Sequence, residues 1–251
     1  NLATGDVIDF VQILGNVLDI GQPSDDTVTA AKLNDNVISG QTELAATPAD
    51  TDEFLVSDAG TLKRVDYSHI KSTPGLVKLQ TQTASSSSSI TFTSTYITTT
   101  YKKYYLDYTN VTISSDGGNI AATVSYDNGS SYVTAGIYKY VRYYSNTDLS
   151  NNSIVSGAGT TNTSLLMLGT GNGLGTSTDE SGSGRMTIFD PNSADSKFFL
   201  CEGMIIDSGG KLSQQKIYQA LITSNTINNI KIEPNTGTIE TGTFTLYGVT
   251  T

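Results

Sequence analysis

Histidine, the side chain most often used for proton transfer in enzymes, occurs only once in the 251 residues, as His69. It lies in the segment Tyr67–Ser68–His69–Ile70, with no cysteine nearby in the sequence and with Ser68 merely adjacent. A nucleophile needs a base that a third group holds within hydrogen-bonding reach, and neighbouring residues alone do not provide that geometry. We therefore expect His69 to be a surface or packing residue, and we expect no Ser-His-Asp or Cys-His site.

Paired carboxylates are the second chemistry to consider, because glycosidases cut sugars with two of them. The acidic residues beyond residue 78 mostly stand beside Gly, Asn or Ser, where aspartate commonly forms turns. Tryptophan, whose large ring stacks well on sugars, is absent from the chain. The sequence therefore predicts no catalytic residues and a protein that is not an enzyme.

Metal and phosphate sites have little support in the sequence. No Cys/His spacing suits zinc, and Asp116–Gly117–Gly118–Asn119 lacks the regular acidic spacing of a calcium loop. The glycine-rich segment 169–177, GTGNGLGTS, is not followed by the lysine of a phosphate-binding loop. We predict no metal ligands and no cofactor.

Tyrosine is the unusual residue of this chain, since eleven of its fourteen copies lie between Tyr96 and Tyr144. The ring is rigid and apolar and its hydroxyl is polar, a combination suited to subunit interfaces and to sugars. Arg142 shares one strand face with Tyr138, Tyr140 and Tyr144. That face is too polar for a dry core. Packing between subunits is the favoured explanation, ahead of an ordinary strand surface and of ligand binding.

Composition and charge narrow the class of protein. Hydrophobic residues make up 37% of the chain and charged residues 15%, against roughly 45–50% and about 25% in ordinary globular domains. This turn-rich makeup suits many short strands. The net charge of −10 repels phosphate, so we expect no nucleic-acid partner. A single cysteine excludes an intrachain disulfide, and no apolar run approaches a membrane span, so we expect no membrane insertion.

The first 78 residues predict a slender stalk rather than a domain. Residues 5–20 are the best helix candidate, and a 3-4-3 spacing typical of a coiled-coil seam joins Val7, Phe10, Leu14 and Val17. An ordinary packing helix is the alternative. Further on, Phe54–Val56 and Leu62–Val65 predict two strands around a turn. Because the apolar residues of 1–78 come in threes and fours between turns, we expect other copies of the chain, or a large partner, to bury them.

Residues 79–251 predict about nine strands, with no long amphipathic helix between them. In the last strand, Phe244 and Leu246 alternate with Thr243 and Thr245, which indicates one buried and one wetter face. The predicted fold class is mainly β, with an antiparallel β-sandwich of jelly-roll type at 79–251. The trimeric stalk of short helices and β turns at 1–78 precedes it.

Four stretches resemble phage structural proteins. TVTAAKLNDNVISGQTEL (27–44) resembles the short stalk repeats of phage fibres, and PADTDEFLVSDAGTLKRVDYSHIK (48–71) resembles a module of environmental phage virion proteins. SGRMTIFDPNS (183–193) and GTIETGTFTLYGV (237–249) are similar to elements of jelly-roll tips. The resemblance implies a homotrimer at the surface of a virion.

We therefore expect a trimeric phage tail fibre. Its N-terminal segment would attach to other virion proteins, and its β tip would touch a host glycan or an outer-membrane protein. The polar loops within 145–184 are the expected receptor contact, together with Tyr143, Tyr144, Asp179 and Glu180. The alternative is a capsid decoration or head-fibre protein with a purely architectural role, and a free carbohydrate-binding module is a third reading.

The seam yields a first prediction. Changing Phe10 to Asp should dissociate or misassemble the stalk, because burying a charge without a partner costs several kcal/mol and symmetry repeats that cost in every chain. Light scattering of the purified variant measures the result. Unchanged assembly would mean that this segment packs on another virion protein instead.

Overall fold

The computed structural model of the chain describes residues 4–5, 7, 28–71, 75–134, 138–147, 153–155, 163–169 and 172–250. The chain divides into two compact units, Asn1–Lys71 and Ser72–Thr251. Three residues of the predicted seam, Phe10, Leu14 and Val17, lie outside the described residues. The fourth, Val7, is described and is 82% exposed. The trimeric seam therefore stays a prediction.

The described part of the N-terminal unit is built from short elements. These are a 3-10 helix at Ala30–Lys32, the one-turn helices α1 (Asn36–Ser39) and α2 (Tyr67–Ile70), and the strands β1 (Glu53–Asp58) and β2 (Thr61–Asp66). The two strands pair antiparallel around Ala59 and Gly60, which both have positive φ, as a tight two-residue hairpin turn requires. The hairpin predicted from the sequence is confirmed.

This hairpin buries almost nothing. No residue from 31 to 71 is fully buried, and Leu55 and Leu62 are 74% and 70% exposed. The main ring contact is between Phe54 and Tyr67, whose centroids are 6.1 Å apart. A two-stranded hairpin is only marginally stable by itself in water. The contacts among residues 31–71 alone therefore give this hairpin little stability.

The C-terminal unit is an antiparallel β-sandwich, which confirms the predicted fold class. Its strands are β3 (Leu76–Ser87), β4 (Ile90–Phe92), β5 (Lys103–Ile113), β6 (Ile120–Ser125), β7 (Tyr138–Asn146), β8 (Ser153–Val155), β9 (Leu165–Leu168), β10 (Gly182–Phe189), β11 (Lys197–Ile206), β12 (Leu212–Leu221), β13 (Asn229–Pro234) and β14 (Ile239–Val249). One sheet has eight strands in the order β3-β14-β5-β10-β11-β12-β7-β8, and the other has four in the order β4-β13-β6-β9.

The core lies between the two sheets and follows the two-residue period of the strands. In β14, Phe244 and Leu246 are completely buried, whereas Thr243 and Thr245 between them are partly exposed. This is the alternation predicted for the last strand. The Phe244 ring lies 6.5 Å from the ring of Tyr108 on β5, so neighbouring strands share one apolar layer.

The first strand of the sandwich, β3, includes the start of a run of five serines at residues 85–89. The domain boundary predicted after residue 78 lies inside β3, whereas the two units divide between Lys71 and Ser72. Ser85 pairs with Thr241 and Ser87 with Ile239 across to β14. Backbone pairing makes no demand on side-chain hydrophobicity, so serines that resemble a linker can form an edge strand.

Buried glutamines connect the two sheets by hydrogen bonds. Gln219 on β12 receives a bond from the backbone N–H of Leu166 at 2.8 Å and donates to the carbonyl oxygen of Leu166 at 2.9 Å. The side chain thus pairs with β9 as a neighbouring strand would. Gln215, also on β12, donates to the carbonyl oxygen of Met167. These bonds satisfy polar groups that would otherwise be costly inside the core.

Lys197, at the start of β11, is a buried cation with a structural role. Its side chain is completely covered, and its ammonium group donates to the carbonyl oxygens of Ser193, Asp195 and Thr223 at 2.7, 2.6 and 3.3 Å. Burial lowers the pKa of Lys197. The three acceptors match the three N–H donors of the ammonium, so Lys197 ties the loop before β11 to the segment after β12.

The alternation in β14 gives the second prediction. Changing Phe244 or Leu246 to Ala should each lower the free energy of unfolding by roughly 2–5 kcal/mol, because each change opens a cavity in the core. Denaturant unfolding measures the loss. Thr243→Ala on the wetter face is the matched control and should change stability by less than about 0.5 kcal/mol. Equal losses for all three variants would contradict the assignment of the two faces.

Candidate binding surface

The eight-stranded sheet has one face toward the core and one face turned away from it, which we call the outer face. In β11, Phe199 and Cys201 are buried, whereas Phe198 and Glu202 are exposed. The same alternation holds in β12, where Ile217 is buried and Tyr218 is 44% exposed. The residues of the outer face therefore come from every second position of the central strands.

A row of alternating charges crosses the outer face. The strand register aligns Asp107 with Arg185, Arg185 with Glu202, and Glu202 with Lys216, on β5, β10, β11 and β12. We call these four residues the charge row. The Arg185 guanidinium donates to both carboxylate oxygens of Asp107, at 2.5 and 2.8 Å. The Lys216 ammonium lies 2.6 Å from the carboxylate of Glu202. The row therefore carries no net charge.

Aromatic rings hold the cations of the charge row in place. The Arg185 guanidinium lies 4.5 Å from the ring centroid of Tyr105, and the Lys216 ammonium lies 5.7 Å from that of Tyr218. Both distances suit a cation–π contact. The hydrogen bond with Asp107 raises the pKa of Arg185, and the hydrogen bond with Glu202 raises the pKa of Lys216. Both side chains are thus fixed as cations.

A broad, shallow groove of about 1130 Å³ runs over the charge row. Besides that row, its lining includes Tyr143, Tyr144, Ser145, Ser183, Met204 and Gln214. Tyr143 aligns with Lys216, and its ring meets that of Tyr218 edge-on, with 6.2 Å between the centroids. The groove therefore combines fixed charges, amide and hydroxyl groups and exposed rings. These groups can form ion pairs, hydrogen bonds and ring contacts with a bound molecule.

Exposed apolar side chains concentrate on this sheet. Within the described part of the C-terminal unit, every large apolar or aromatic side chain with high exposure lies on the eight-stranded sheet or directly after one of its strands: Leu76, Val141, Tyr143, Phe189, Phe198, Met204, Leu212, Tyr218 and Ile222. Phe198 is 57% exposed and Met204 is 58% exposed. Exposed apolar patches of this kind mark surfaces that contact another molecule.

The structure separates the four residues predicted for receptor contact. Tyr143 and Tyr144 line the groove, whereas Asp179 and Glu180 lie in the turn before β10 and do not line it. Asp179 is exposed, but Glu180 is only 7% exposed, and its carboxylate accepts a hydrogen bond from the backbone N–H of Ser177 at 2.8 Å. Glu180 thus stabilises its own turn and has little surface to offer a receptor.

The tyrosines of β7 do not form one outward-facing cluster. Tyr138 is a core residue with 1% exposure, and its hydroxyl donates to the carbonyl oxygen of Val133 at 3.1 Å. The Arg142 guanidinium lies 5.8 and 5.9 Å from the rings of Tyr140 and Tyr144. The sequence predicted that the strand face shared by these tyrosines and Arg142 is too polar for the core. Tyr138 of that face is nevertheless a core residue, because its hydroxyl donates to a backbone carbonyl oxygen.

The single histidine and the single cysteine are not among the residues that line the groove. His69 lies in α2 of the N-terminal unit. Cys201 is completely buried, and burial raises the pKa of its thiol. Among the residues that the structure describes, no three His, Cys, Asp or Glu side chains are grouped so as to hold a metal ion.

The sequence alone did not predict the charge row. Its members lie on four strands, and Asp107 is 78 residues from Arg185. The detectable signal is a charged residue at an outward position of each central strand, but only the register shows that these residues are neighbours.

Comparison with known proteins finds no matching family model, no similar curated protein and no similar solved structure. No helix within the described ranges is both long and apolar enough to span a membrane.

The turn before β10 gives the third prediction. Glu180→Ala should lower the free energy of unfolding by about 1–3 kcal/mol, because it removes a buried acceptor and leaves the Ser177 N–H without its bond. Asp179→Ala, one residue earlier and exposed, is the matched control and should be nearly neutral. Thermal or denaturant unfolding of both variants decides. A neutral Glu180→Ala would return Glu180 to the candidates for receptor contact.

Proposed function

We propose that this chain is a structural protein of a phage particle, a homotrimeric fibre whose β-sandwich tip contacts the host cell surface. The observation that carries the proposal is the exposure of the N-terminal unit. Its hairpin leaves Leu55 and Leu62 in water and none of residues 31–71 is fully buried, so other copies of the chain are needed to cover them. Threefold assembly of a stalk provides such a cover.

The tip supports the same proposal from a different direction. It is an independent sandwich with its own core, and such a scaffold can carry variable loops without losing its fold. The net charge of −10 on the whole chain keeps a repetitive surface soluble. Several weak contacts on one particle add up to firm attachment, so the tip does not need a deep pocket for its receptor. A host glycan or an outer-membrane protein is the proposed partner, and other virion proteins hold the N-terminal end.

The fourth prediction tests the assembly and the role together. Light scattering of the purified chain should give about three times 26.6 kDa. The purified trimer, added in excess, should inhibit adsorption of particles that carry the chain, because it occupies the same receptor. The Asp179→Ala variant of the competitor should inhibit less well, because Asp179 is exposed and does not line the groove, while Asn128→Ser on the turn after β6 is the control.

The light-scattering result and the adsorption result test different parts of the proposal. A monomer at micromolar concentration would contradict the fibre. A trimer that does not inhibit adsorption, on particles that still adsorb normally when the chain is deleted, would identify a decoration or head-fibre protein with an architectural role.

A further inference from the structure

The outer face carries an exposed aromatic pair at one end of its two middle strands. The eight strands are arranged with β10 and β11 in the middle, so that four strands lie on each side of the line between them. Phe189 and Phe198 are directly opposite each other across that line and are 38% and 57% exposed. Leu200 and Met204 lie further along β11 on the same face. Apolar side chains thus follow the line between the two middle strands.

The charge row is arranged so that it complements itself. Counted outward from the central line, Arg185 lies on one side and Glu202 on the other, followed by Asp107 and Lys216. Every charge therefore has its opposite at the mirror position. A second copy, rotated about an axis that is parallel to the strands and in front of this line, places Arg185 of one copy toward Glu202 of the other. The same rotation places Asp107 toward Lys216.

We propose that copies of the tip contact one another through this outer face, with the symmetry axis parallel to the strands and in front of β10 and β11. The number of copies rests on the proposed homotrimer, whereas the choice of surface does not.

A second copy suits this surface better than other occupants do. Aromatic residues, methionine and arginine are enriched at the centre of protein interfaces, and Phe198, Met204 and Arg185 supply all three classes here. The neutral, self-complementary charge row favours one register between two copies.

Tryptophan fluorescence tests the proposal, because the chain has no tryptophan of its own. Phe198→Trp places one reporter on the outer face, beside the line between β10 and β11. Glu233→Trp places a reporter on β13 of the four-stranded sheet, whose Glu233 side chain is 39% exposed. In the purified full chain, acrylamide should quench the F198W fluorophore several-fold less than the E233W fluorophore, and F198W emission should be shifted to the blue.

A charge variant separates a second copy from the chain's own N-terminal unit. Phe198→Glu should weaken association by roughly tenfold or more, because it would bury an unpaired carboxylate in every copy. Thr91→Glu, on β4 of the opposite sheet and beside Lys231, is the control and should leave the mass unchanged. Light scattering over a dilution series measures both variants, and circular dichroism verifies their folds. If F198E loses its β signal, the quenching comparison alone decides.

Each outcome has one meaning for the surface. Shielding of F198W together with weaker assembly of F198E supports it. Quenching of F198W equal to that of E233W overturns it, even if the chain is a trimer. Shielding of F198W with unchanged assembly of F198E also overturns it, since the cover is then the N-terminal unit of the same chain. A dimer that shows both effects keeps the surface and rejects the trimer, and a monomer rejects both.

Discussion

The four-stranded sheet can cover only one face of the eight-stranded sheet, and the C-terminal unit is organised around this constraint. The four-stranded sheet buries the inner side chains of the larger sheet, so that Leu106, Met186 and Cys201 on three adjacent strands are completely excluded from water. Burial of such side chains is the dominant favourable term in folding. The outer face lies on the other side of the larger sheet from this cover, and its side chains carry charges, hydroxyl groups and cation–π contacts that are compatible with water.

Polar groups inside the sandwich follow from the same constraint. β9 is an edge strand of the four-stranded sheet and packs near β12. On its free edge, the backbone groups of Leu166 and Met167 have no strand of the same sheet beside them. Gln215 and Gln219 fill that role with their amides. Lys197 solves a similar problem where loops meet, since its ammonium satisfies three carbonyl oxygens at once. In each case a long polar side chain replaces missing backbone pairing, because an unpaired buried carbonyl or N–H is expensive.

The two units of the chain differ in how far they can satisfy themselves. The C-terminal unit has a continuous core, and its buried Gln219 and Lys197 side chains are hydrogen-bonded. The N-terminal unit has turns, a hairpin and exposed leucines. A partner that binds the folded form and covers these leucines would stabilise that unit, because binding shifts the folding equilibrium. The outer face of the C-terminal unit is likewise exposed and carries apolar side chains along the line between β10 and β11.

Much of the architecture was determined by the sequence alone. The antiparallel sandwich, the hairpin at residues 53–66 and the inward direction of Phe244 and Leu246 follow from periodicity and turn residues, which act over short distances along the chain. The extent of β3 was missed because serines pair through their backbone. The inward position of Tyr138 was missed because a distant carbonyl satisfies its hydroxyl. Only the tertiary structure could place Asp107, Arg185, Glu202 and Lys216 in one row, since register between strands that are far apart in the chain depends on the packing of the whole sheet.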